Sequence, residues 1–202
     1  SKNTYRLFLM LILIAGIALR VWDFGSIPGG VNQDGAMAAV DAKALADYGT
    51  DRFGTWLPCH LYAWGYGQMS SLMSYLIAPF VKLLGLSVVT MRIPSLLCSI
   101  GGGVFCYLFM RDVFGERAGL IAALLVAINP WHLIQSRWAL DCNLLPHFFM
   151  GGLYFLNRGL TEKKPYGAVK LTEEGLRLAE ELEARRDRLL LLFARRFGLS
   201  MD

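Results

Sequence analysis

The chain has 202 residues, 55% hydrophobic and 18% charged, with a mean hydropathy of +0.43 and a formal net charge of +4. A soluble domain carries roughly a quarter charged residues, so this balance points to a membrane protein. The positive residues fall in short segments flanking apolar runs rather than in one stripe, which argues against specific nucleic-acid binding.

Tyr5 to Trp22 is predicted as the first spanning helix, with no charge between Leu7 and Leu19. About 18 residues suffice to cross a hydrocarbon core near 30 Å. Lys2 and Arg6 lie at its start, so the N-terminus is expected in the cytoplasm. No small-residue cleavage pattern follows, so the run reads as an uncleaved anchor. A start at Ser1 without methionine suggests an incomplete or processed N-terminus.

Residues 23 to 68 form a polar, aromatic stretch in which Asp23, Asp34, Asp41, Asp47 and Asp51 outnumber Lys43 and Arg52, as in an exported loop. Gly25 to Gly30 reads as a turn region, and Gly35 to Tyr48 as a short helix ended by Gly49. Residues 69 to 86 are apolar enough to cross, but Ser70, Ser71, Ser74, Pro79 and Lys82 interrupt them. Two further spans are predicted over Arg92–Met110 and Ala118–Ile134, separated by the charged turn Arg111–Arg117. A last one covers Leu144–Leu156 and ends at Arg158, Lys163 and Lys164. Gly101–Gly103 and Gly151–Gly152 are expected to be close-packing surfaces between helices.

Topology turns on parity. If 69–86 crosses, Asp34 and Asp141 lie on opposite faces. If it lies in the interface, four spans remain, both basic turns are cytoplasmic, and Asp34, Arg137 and Asp141 share the outer face. The positive-inside rule favours the second arrangement. The expected fold is therefore all-α: a polytopic membrane helix bundle of about four spans plus interfacial helices, with a C-terminal amphipathic cytosolic helix. Both termini are expected to be cytoplasmic, in an inner membrane; the bacterial setting is what the resemblance given below implies. Residues 1–164 form the membrane domain, and 165–202 a charged tail. In that tail a short strand over Val169–Gly175 and a Thr172 cap lead into a helix from Glu173 to Arg196.

Asp34 follows a Gly/Pro-rich turn and precedes a helix. There a carboxylate can stay ionised against helix amides and take a proton from an attacking hydroxyl, or it can simply cap the helix. Arg137 and Asp141 are four apart, so they read either as an ion pair or as a phosphate-binding cation and a second carboxylate. Trp56, Tyr62, Trp64, Tyr66, Trp131 and Trp138 fit an interfacial aromatic belt, while Trp64 and Tyr66 are also candidates for stacking on a sugar face. Gln68 and Asn143 join them as substrate-binding candidates. His60, His132 and His147 lack zinc spacing. Of the four cysteines, Cys98 and Cys106 read as core residues, and a Cys59–Cys142 disulfide is conceivable in an oxidising compartment.

Asn32-Gln33-Asp34, Ala63-Trp64-Gly65-Tyr66-Gly67, Arg92-Ile93-Pro94-Ser95, Asn129-Pro130-Trp131-His132 and Ser136-Arg137-Trp138 occur in one order. Together they resemble the N-terminal part of a bacterial membrane glycosyltransferase of the GT-C class, of the protein O-mannosyltransferase and aminoarabinose-transferase type, over residues 5 to 160. The resemblance implies a polyprenyl-phosphate sugar donor, inversion at the anomeric carbon and an acceptor hydroxyl on the outer face. It implies Asp34 as base, Asp141 as second acid and Arg137 as donor-phosphate contact; a divalent metal stays open, with no ligands assigned. Two departures stand out: relatives carry a Glu directly after the Asp, where this chain has Gly35, and they continue for further spans.

Ala168 to Glu180 and Arg185-Arg186-Asp187-Arg188-Leu189-Leu190 resemble the wing and following helix of metal-dependent repressors related to the diphtheria toxin repressor. Asp187 and Leu191 stand where that family has metal ligands, so metal binding is not implied. A homodimer through 172–197 is. The abrupt change after Lys163-Lys164-Pro165 suggests a fusion or chimera. Three functions follow: a lipid-linked sugar transferase fragment, a non-catalytic membrane scaffold, and a membrane-tethered regulator dimerising through its tail.

Overall fold

In the computed structural model, residues 2–63, 67–162 and 170–197 are described. They divide into two compact units, Ser1–Gly152 and Leu153–Asp202. In the first, helix α1 (Lys2–Val21) presents Leu7, Phe8, Met10, Leu11 and Ile14 outward, the last 64% exposed. A helix that is apolar on its open surface finds its solvent in lipid. Helix α4 (Val88–Phe114) is the other helix among the described residues that is long and apolar enough to cross a membrane. It is longer at both ends than the expected span: Ser87 caps its start by accepting from the Thr90 amide, and Gly115 ends it.

The four-span count is not reached on length alone. The expected span 118–134 is broken into α5 (Glu116–Ile128) and α6 (Pro130–Gln135), and the last becomes α7 (Leu145–Leu160). The break has a local cause. Pro130 offers no N–H to the carbonyl of Val126, and Asn129 instead caps α6 by accepting from the His132 amide. Arg20, at the end of α1, supplies the missing donors: its Nη2 donates to Val126 O at 2.9 Å and its Nη1 to Ala127 O at 3.3 Å.

That contact joins the ends of α1 and α5, while Arg117 Nε and the Tyr5 hydroxyl, 3.4 Å apart, join their starts. The two helices therefore run side by side in the same direction, and α4 packs against α5 antiparallel to it. Gly102 sets the crossing of α4 with α7, since a Cβ there would fall 2.4 Å from His147 Nδ1. At Gly101 and Gly152 a Cβ would meet nothing within 4 Å, so the expected glycine surfaces reduce to part of their length.

Between α1 and α4 lie helix α2 (Gln33–Tyr48), a hairpin of β1 (His60–Ala63) and β2 (Gly67–Ser70), and helix α3 (Leu72–Leu84). The hairpin pairs antiparallel, Tyr62 opposite Gln68, and departs from the all-α expectation. Ala38, Ala39 and Ala42 of α2 pack on Met73, Ile77 and Val81 of α3, with Met91, Ala139 and Leu144 completing the core. The alanines let the two helices approach closely, and each fully buried aliphatic side chain such as Ile77 contributes roughly 1.5–3 kcal/mol.

In the second unit, β3 (Thr161–Glu162) pairs antiparallel with β4 (Lys170–Leu171). Thr172 then accepts from the Gly175 amide at 3.0 Å, starting α8 (Glu173–Phe197), so the expected cap and helix are found.

Candidate functional site

Asn32, not Asp34, caps α2: its Oδ1 accepts from the amides of Asp34 at 2.9 Å and Gly35 at 3.4 Å. This leaves Asp34 exposed in the first turn, where helix amides favour an anion. Gly35 is buried against the opposite segment. A Cβ built on it would lie 3.1 Å from the Ala139 carbonyl oxygen and 3.3 Å from the Met91 methyl. The Asp34 turn thus rests on the stretch that carries Arg137 and Asp141.

Asp141 lies in a 3-10 turn, Asp141–Asn143, and its Oδ1 accepts from the Met73 amide at 2.8 Å. It caps α3 from across the chain because the local candidate is turned away: the Ser71 hydroxyl donates to Cys59 O. Asn143 is buried and its Nδ2 donates to the carbonyl of Trp138 at 3.3 Å and, more weakly, to that of Gln135 at 3.5 Å. The Ser95 hydroxyl donates to the same Trp138 carbonyl at 2.8 Å. Gln68 is exposed on β2, while Trp64 and Tyr66 lie outside the described residues.

Arg137 is 6% exposed, and its guanidinium donates to Ile27 O at 3.0 Å, Leu19 O at 2.7 Å and Trp22 O at 2.6 Å. An ion pair with Asp141 is not among these contacts. Burial lowers the Arg137 pKa from its ordinary value, and the nearby Asp23 charge opposes that shift. The residue that sequence reasoning passed over is Arg92. It is 3% exposed and donates to Phe24 O, Ile27 O, Pro28 O and Gly30 O at 2.7 to 3.1 Å. An arginine two residues before a proline in an apolar run was the signal, since charge inside a span needs partners.

These elements leave between them only a narrow crevice of about 10 Å³, lined by Val31, Asn32, Gly35, Arg92, Arg137 and Trp138. Its lining includes the two arginines Arg92 and Arg137, and the exposed Asp34 lies in sequence between the lining residues Asn32 and Gly35. Elsewhere in the exported stretch, Asp41 is buried, accepts from the Arg52 amide at 3.0 Å and lies 3.6 Å from its guanidinium. Burial raises the Asp41 pKa, and the Arg52 contacts oppose the rise.

Comparison with known proteins gives one family: the profile described as dolichyl-phosphate-mannose-protein mannosyltransferase matches residues 69–171. Arg92, Arg137, Asp141 and Asn143 fall inside the matched stretch, and Asp34 precedes it. Neither the search of curated proteins nor that of solved structures gives a match.

Proposed function

The chain belongs to the dolichyl-phosphate-mannose-protein mannosyltransferase family, and from that membership we propose that it takes part in sugar transfer from a polyprenyl-phosphate donor to an acceptor hydroxyl at the outer face of a bacterial cytoplasmic membrane. Family membership makes it a glycosyltransferase of the GT-C type and gives it a membrane setting. The finer assignment rests on one observation, the approach of Gly35 to Ala139. That contact holds the Asp34 turn against the segment leading to Asp141.

Asp34 acts as the general base. Its carboxylate takes the proton of the acceptor hydroxyl while that oxygen attacks the anomeric carbon, and the carbon–oxygen bond to the phosphate breaks with its electrons leaving on the lipid phosphate. One displacement inverts the anomeric centre. Asp141, anchored through its Oδ1 to the start of α3, orients the acceptor. The guanidiniums of Arg92 and Arg137 supply positive potential beneath the cleft, which favours the departing phosphate.

In this arrangement α1, α4, α5 with α6, and α7 cross the bilayer, and α3 lies in the interface. The geometry supporting it is that α3 attaches at both flanks to one end of the bundle. Its first turn is held by Asp141, and its end leads through Ser87 into the turn of α4 whose Arg92 grips the loop after α1. Transfer of mannose from dolichyl-phosphate mannose to a Ser/Thr peptide by the purified chain tests the reading. Asp34→Asn is expected to abolish it. Wild-type rates in that variant, or cysteines at positions 34 and 141 labelled from opposite sides of a vesicle, would overturn it.

A further inference from the structure

Arg92 and Arg137 reach one short segment from two different elements. Together they make seven hydrogen bonds to the backbone carbonyls of residues 19 to 30, and both donate to the same oxygen, Ile27 O, at 3.1 and 3.0 Å. Leu19 lies in the last turn of α1, and residues 22–30 beyond it are turns and bends rather than helix or strand. It leads directly into Val31, Asn32 and the Asp34 turn. Both arginines are more than nine-tenths buried, so their forks are held by packing as well as by hydrogen bonds.

We propose that Arg92 and Arg137 are positioning residues for the Asp34 base, acting through the carbonyls of residues 19–30 rather than by touching the sugar. This rests on the assignment of Asp34 made above. The physical reason is specific to arginine. A planar guanidinium presents several donors in fixed directions, so one side chain spans carbonyls that no lysine ammonium could reach together. The shared Ile27 oxygen couples the two clamps, so releasing one loosens the other's hold. Displacing the base by about 1 Å costs on the order of 10²-fold in rate.

The test uses the full chain in nanodiscs, with dolichyl-phosphate mannose as donor and a Ser/Thr peptide as acceptor. Arg92→Lys and Arg92→Gln, normalised to folded protein, are expected to lower kcat by about 10²-fold with KM for the donor changed less than about threefold. Guanidinium ion added to Arg92→Gln should recover part of the rate. In parallel, amide exchange over residues 23–34 should speed up in both variants while that of α4 beyond Ser95 does not. Equal kcat in Arg92→Lys and wild type, or a loss confined to donor KM, overturns positioning and returns these arginines to donor contact. Should Arg92→Gln fail to fold, the lysine variant alone decides. A wild type inactive with this donor sinks the transferase assignment, and the positioning role with it. Unchanged exchange over 23–34 in an active series sinks the clamp alone.

Discussion

Asp141 is asked to do two things, cap α3 and serve the reaction, and substitution can separate them. Asp141→Ala removes the acceptor that the Met73 amide donates to at 2.8 Å. Ser71 makes no capping bond of its own, its hydroxyl being directed at Cys59 O. Loss of a cap costs about 0.5–2 kcal/mol, with about 0.3–1 more from the lost anion at the helix start. For a chain of this size each kcal/mol moves Tm by about 2–4 °C, so a fall of roughly 2–12 °C is expected. Asp141→Asn keeps an Oδ1 acceptor in place and should recover most of that loss, while transfer activity stays low in both variants. Thermal unfolding in one detergent, followed by tryptophan fluorescence, provides the assay. A Tm for Asp141→Ala within a degree of wild type, or an asparagine variant as unstable as the alanine one, refutes the reasoning.

Three other outcomes follow from the same geometry. Gly35→Ala places a methyl 3.1 Å from the Ala139 oxygen and should cost about 1–3 kcal/mol; a variant as stable as wild type would show that the contact is looser. Arg20→Met strips the donors from Val126 O and Ala127 O, but in a Pro130→Ala background the restored N–H should lessen the damage. A double-mutant cycle is expected to give about 1 kcal/mol of coupling, and strict additivity would contradict the account. Asp41 has a folded pKa raised by burial, so its stabilising contribution is full below the unfolded value of 3.8 and is lost as pH rises through the folded one. Wild type should therefore gain stability relative to Asp41→Asn on acidification, and urea midpoints at several pH values would reveal the opposite slope if the sign is wrong.

The membrane character and helices α1, α4 and α8 were legible because long, regular patterns carry them. Short-range competition was not. The apolar run through Trp131 hides the break at Asn129–Pro130, where one missing N–H outweighs continuous hydrophobicity. The hairpin at 60–70 is four residues a side within an aromatic-rich loop, too short for alternation to stand out. At the site, the sequence located Asp34, Arg137 and Asp141 but not their partners. Asn32 and Asp34 are equally good caps by type, and only backbone geometry chooses between them. Arg137 and Asp141 have the spacing of an ion pair, yet the chain there turns after Gln135 instead of continuing as a helix, and each side chain finds a distant backbone instead. Arg92's four carbonyls lie more than sixty residues away in the chain, a pairing that local pattern does not encode.

The narrow gap at Gly35 has a developmental side. A side chain at position 35 would press on the Ala139 carbonyl oxygen, and that oxygen belongs to a segment the chain reaches only after α3, α4, α5 and α6 have been made. A nascent chain on this plan leaves the Asp34 turn without its support until that late segment docks on Gly35.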